Sequence, residues 1–140
     1  MAPQAYSWTC SVCSITWSLN ALGVTISREN VGTIMGYPEC INPTYGCMSA
    51  QCVIDTYNQL GFNALQRWVT FDEAFAICNK YTGVINPVGM YHYMGIRGKN
   101  VDDIWLANSA PGYLGIYDNL SRTQFNNFSP VQVIYLESRI

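Results

Sequence analysis

The chain has 140 residues, 49% of them hydrophobic and only 11% charged, and seven basic against nine acidic side chains leave a net charge of −2. That length suits one domain with a core that needs no staples, so residues 1–140 are read as a single domain. The charge balance excludes nucleic-acid binding through phosphate neutralisation, and no apolar run reaches membrane-spanning length. The start, "MAPQAYSWTC", lacks a basic stretch followed by an apolar one, so no signal peptide is expected.

The first predicted helix covers residues 10–22. Val12, Ile15, Leu19 and Leu22 form one apolar stripe and Cys13, Trp17 and Ala21 a second beside it, an arc wide enough for a central helix. Thr9 suits its N-cap, which puts Cys10 in the first turn, and Gly23 ends it. Ser27 caps a second helix with Val31, Ile34 and Met35 inward, and "YPECINPTYG" reads as a loop. A third helix runs from about Ser49 to Leu60, with Ala50, Val53, Ile54 and Tyr57 inward and Gly61 as its stop. Thr70-Phe-Asp-Glu73 has capping-box spacing and opens a fourth helix carrying Ala74, Phe75 and Cys78. Beyond residue 81, "YTGVIN", "MYHYMGIR", "DIWLAN", "LGIYD" and "VQVIYLE" are strand-like, with a short helix capped by Ser121 in "LSRTQFNNF". Helices first and an antiparallel sheet after them make an α+β domain, without internal repeat or linker.

Six cysteines stand at positions 10, 13, 40, 47, 52 and 78. Only Cys10 and Cys13 have the spacing of half a zinc knuckle, so a four-cysteine zinc site is an alternative; otherwise most of these thiols read as small core residues. No metal and no cofactor is expected. Cys10 differs from the rest, because unpaired N–H groups at a helix start favour a thiolate. His92, the sole histidine, opens one strand and Asn108 ends the next, after the turn "GKNVDD" that holds Asp102 and Asp103. Antiparallel pairing would set imidazole and amide side by side. Gln4, six residues before Cys10, supplies an amide donor that, with the Cys10 N–H, would bind an oxyanion. Nucleophile, base, orienter and oxyanion donor are thus Cys10, His92, Asn108 and Gln4, while Cys13 and Cys78 lie on inward stripes. Tyr45, Tyr91 and Tyr113 are candidates to line a cleft.

This order of parts resembles the papain-like cysteine peptidases. "QAYSWTCSVCSITWSLNALGVTISRENVGTIMG" is similar to the N-terminal half of bacteriocin-processing (double-glycine) peptidases, and "YHYMGIRGKNVDDIWLANSAPG" to their His-strand-turn-strand segment, which often carries Asp where this chain has Asn108. "INPTYG", "YHYMGIRG", "NSAPGYLGIYDNLSRTQFN" and "VQVIYLE" resemble most closely the peptidase domains of actinobacteriophage endolysins. The resemblance implies a papain-like fold and a Cys-His-Asn endopeptidase acting through a thioester on peptidoglycan peptides. It further implies a monomer, excised from a longer modular lysin or standing alone, held in the host cytoplasm until a holin lets it reach the wall. A leader peptidase cutting after Gly-Gly is the alternative enzyme, and an inactive peptide- or wall-binding module the alternative of another class.

Overall fold

The computed structural model describes residues 10–36, 40–42, 46–47, 49–87, 92–108, 117–128 and 130–139. Five helices and eight strands occur among them. Helix α1 (Cys10–Ala21) ends at a turn in which Gly23 takes a positive φ of 85°. Leu22 therefore lies past the helix and is 51% exposed, not part of the buried stripe its spacing predicts, and Ala21 is exposed too. Helix α2 (Arg28–Met35) is capped by the Ser27 hydroxyl, which accepts from the Asn30 N–H, and α3 (Ala50–Gln59) by that of Ser49, which accepts from the Cys52 N–H. Between them the predicted loop contains a minimal hairpin, β1 (Ile41–Asn42) with β2 (Gly46–Cys47).

Strand β3 (Phe62–Val69) lies between α3 and helix α4 (Phe71–Cys78), so strands do not all follow the helices as the sequence pattern suggests. Its burial does not alternate cleanly: Gln66, Arg67 and Trp68 are all exposed and the register slips between Asn63 and Ala64. Only a clean period of two separates such a run from a loop. Thr70 and Glu73 form the expected capping box for α4. Strands β4 (Gly83–Pro87), β5 (Met94–Lys99), β6 (Asp103–Ala107), β7 (Tyr117–Ser121) and β8 (Val131–Arg139) complete the sheet, and α5 (Arg122–Asn127) sits between the last two, with a capping box of Ser121 and Gln124. The six-stranded order is β3-β8-β4-β5-β6-β7, antiparallel throughout.

Both faces of this sheet are covered. Val84, Tyr93, Ile134 and Leu136 join α1, α2 and α3 in one core, while Ile85, Met94, Val133 and Tyr135 join α4 and α5 in the other. Successive strand residues point to opposite faces, so a sheet buried on both sides reads as an unbroken apolar run such as "VQVIYLE" rather than an alternating one. Close approach is specified at Gly95, where an added Cβ would lie 2.7 Å from Cε3 of Trp17 and 3.4 Å from the Ala107 Cβ. An indole has no flexible end to give way. Gly95→Ala is therefore expected to destabilise the fold by about 1–3 kcal/mol, the usual range for overpacking, read as a lower denaturant midpoint.

Cys40 and Cys52 form a disulfide that ties the chain after α2 to the first turn of α3, a pairing the sequence leaves open. The bond also removes both from any four-cysteine zinc site. Their separation is 12 residues, and such a loop contributes about 2–4 kcal/mol in the chain-entropy account. Reduction should lower the denaturant midpoint of the wild type to that of Cys40→Ser, and should leave Cys40→Ser itself unmoved. Cys10, Cys13 and Cys78 are free and buried. Burial pushes the Cys78 thiol up to about 12, as befits an inert core residue.

Candidate active site

Helix α1 is buried along most of its length, and its buried set includes Ser11, Ser14, Thr16 and Ser18 beside the apolar residues. A buried hydroxyl needs a partner. Ser18 and the fully buried Tyr57 share a hydrogen bond of 2.6 Å, and Thr16 donates to the Val12 carbonyl at 2.7 Å. Ser14 reaches outside the helices, donating to the Tyr93 carbonyl at 3.0 Å.

Cys10 is the first residue of α1, as expected, and is 8% exposed. Its Sγ accepts a hydrogen bond of 3.4 Å from the Tyr93 N–H. Burial pushes the thiol above its ordinary value; the N–H groups of Tyr93 and Ser11 oppose that, neighbouring Cys13 adds to it, and the N–H of Cys10 itself opposes. The helix start favours the anion, as expected, and desolvation by burial works against it. Cys13 is buried one turn on, and its Sγ accepts from the Arg28 guanidinium at 3.7 Å.

His92 lies two residues before β5 and Asn108 one residue beyond β6, with Gly95 opposite Ala107 in the ladder. The turn between these strands is held by Asn100 Oδ1, which accepts from the N–H groups of Asp102 and Asp103 at 3.0 and 2.8 Å; Asp102 lies in the exposed turn as expected, whereas Asp103 is the half-buried first residue of β6. This register brings His92 Nε2 to 2.7 Å from Asn108 Oδ1. An amide oxygen only accepts, so Nε2 carries the hydrogen and Nδ1 is the basic nitrogen. Asn108 is 1% exposed. Burial lowers the affinity of His92 for a second proton, and the Asn108 hydrogen bond partly restores it. Burial thus disfavours the charged form of both groups, and the Asn108 bond fixes the tautomer of the imidazole. Such a pair can transfer a proton when the sulfur attacks.

Cys10 thus touches the residue after His92, and His92 touches Asn108, which gathers three of the four expected residues. Gln4 lies outside the described residues, as do Thr9, Tyr45, Tyr91 and Tyr113. Ser14, Tyr93 and Gln132, whose Oε1 accepts from the Tyr93 hydroxyl at 3.4 Å, were not foreseen. Ser14 had one available signal: it stands a single helical turn after Cys10. Among the described residues no group of three or more His, Cys, Asp or Glu side chains is gathered for a metal, and no helix is long and apolar enough to cross a membrane.

No family model and no curated protein matches the sequence. Solved structures do match. A double-glycine-motif protease from an AMS/PCAT transporter, crystallised with its leader peptide, has a TM-score of 0.72 at 16% identity, covering 99% of this chain and 91% of the other. The peptidase domain of Streptococcus ComA, a bifunctional ABC transporter of a quorum-sensing pathway, has a TM-score of 0.70 at 10% identity, with 98% and 97% covered. A C39-like protein from Bacillus anthracis has a TM-score of 0.65 at 10% identity, with 100% and 95% covered. The α+β architecture of this chain is the papain-like fold of double-glycine peptidase domains.

Proposed function

We propose that the chain is a cysteine peptidase that cleaves a leader-type peptide, with Cys10 as nucleophile, His92 as general base and acid, and Asn108 as orienter. The observation that carries this reading is that Cys10 Sγ accepts the N–H of Tyr93, the residue after His92, while His92 is hydrogen-bonded to Asn108. In the proposed reaction Nδ1 of His92 takes the Cys10 proton as Sγ bonds to the scissile carbonyl carbon, and the carbonyl electrons move to oxygen. The Cys10 N–H and the Gln4 amide would hold that oxyanion. Collapse breaks the C–N bond, the imidazolium gives its proton to the leaving amine, and a thioester remains. Water, deprotonated by the same imidazole, then releases the acid.

A leader peptide is preferred over peptidoglycan because the matching folds include a double-glycine protease bound to its leader. The endolysin reading keeps only its sequence motifs as support, among them "YHYMGIRG". The deciding experiment incubates the purified chain, beside Cys10→Ala, with double-glycine leader peptides and with actinobacterial peptidoglycan. Cleavage after Gly-Gly by the wild type alone is expected. New amino groups from peptidoglycan, with leaders left intact, would replace this reading with the lytic one.

A further inference from the structure

We propose that Ser14 is a positioning residue that fixes the base-bearing segment against the nucleophile's helix, an inference that rests on the peptidase reading above. Positions 10 and 14 are one turn apart and so lie on the same face of α1. From that face Cys10 Sγ accepts the Tyr93 N–H at 3.4 Å and Ser14 Oγ donates to the Tyr93 carbonyl at 3.0 Å. One helix thus grips both polar groups of a single residue's backbone.

Tyr93 immediately precedes β5, whose first pairings set Met94 against Ile85 and Gly95 against Ala107. Its ring is held separately, by the hydroxyl's bond to Gln132 on β8. Tyr93 follows His92, so Asn108 fixes the imidazole by its outer nitrogen while Ser14 fixes the main chain one residue on. Ser14 is wholly buried, so its hydroxyl does not exchange this partner for water. Without it, the Tyr93 carbonyl loses its tie to α1, and the spacing between this segment and Cys10 is held less closely. A displacement near 1 Å between reacting groups can cost on the order of 100-fold in rate.

The test is a graded series at one position. Ser14→Cys keeps the shape with a much weaker donor, and Ser14→Ala removes the donor. Turnover of a double-glycine leader peptide and site-resolved alkylation of Cys10 by iodoacetamide, followed by peptide mass across pH, are measured for each. The expected order is wild type, Ser14→Cys, Ser14→Ala, with kcat falling by about 10- to 100-fold at the end of the series while KM stays within about 3-fold. The alkylation midpoint should climb in the same order, because the Tyr93 N–H no longer sits on the sulfur. A flat series in well-folded protein, or losses that merely track the folded fraction, would overturn the proposal. Should Ser14→Ala not fold, the wild-type and Ser14→Cys pair carries the same comparison. If the wild type cleaves no leader peptide, the function proposed above fails, and the alkylation profiles alone decide the role of Ser14.

Discussion

Cys10→Ala is expected to abolish peptide cleavage, lowering kcat by roughly 10⁴- to 10⁶-fold, as removal of a covalent nucleophile does. The substitution is mild for the fold, since a small buried thiol gives way to a methyl group and loses one weak hydrogen bond from the Tyr93 N–H. Circular dichroism and peptide binding should therefore be retained, and only turnover lost. The same residue sets the pH response of the wild type. The Cys10 pKa is raised and that of His92 lowered, both chiefly by burial, so a neutral resting pair is the expected result. Alkylation of Cys10 in the resting protein should accordingly be slow at pH 7 and keep rising above the ordinary thiol value of 9.0. On the acid side, the limb of the turnover profile should fall below 6.5, the ordinary value for histidine. A plateau of fast alkylation already reached at pH 6 would mean a stable ion pair, and the neutral resting state would be wrong.

The second large effect is expected from His92→Ala. Loss of a positioned general base costs about 10²- to 10⁴-fold, and this chain has no other histidine to take over. Asn108→Ala should cost less, because it leaves the base in place while freeing its ring and tautomer. Stability supplies an independent readout. The folded pKa of His92 lies below 6.5, so the unfolded chain binds a proton more readily than the native one. Falling pH from 6.5 through the folded value thus favours unfolding, and the stabilisation is fully present only above 6.5. Denaturant midpoints compared at pH 7 and pH 5 should diverge more in the wild type than in His92→Gln. Equal divergence in both proteins would assign the acid sensitivity to other groups.

Much of this arrangement is legible in the residues. Caps at Ser27, Thr70 and Ser121 are local devices with side chain and target a few positions apart, and each falls where the pattern puts it. The His92–Asn108 pairing is likewise local, because a short turn fixes the register of β5 and β6. Features that depend on distant partners were not legible. Strand β3 is an edge strand whose identity comes from pairing with β8, some seventy residues away by sequence, and its own pattern is broken by exposed Gln66, Arg67 and Trp68. The Cys40–Cys52 bond depends on a connectivity that spacing leaves open. The burial that pushes the Cys10 thiol up is hidden for a related reason: a helix start is visible in sequence, whereas the depth at which it is buried is a property of the whole fold.

Tyr93 and Met94 are consecutive, yet one belongs to the core beneath α1 and the other to the core beneath α4. The peptide link between them is one of the places, with Val84–Ile85 and Val133–Ile134, where one run of chain joins the two halves of the interior. For an engineer this rules out treating either half alone. Phe71, Ile104 and Phe125 share a core with Met94, so repacking there bears on the neighbour of the residue that touches the sulfur. Libraries meant to harden this protein should leave the contacts of Met94 fixed and draw their variation from the solvent side of α4 and α5.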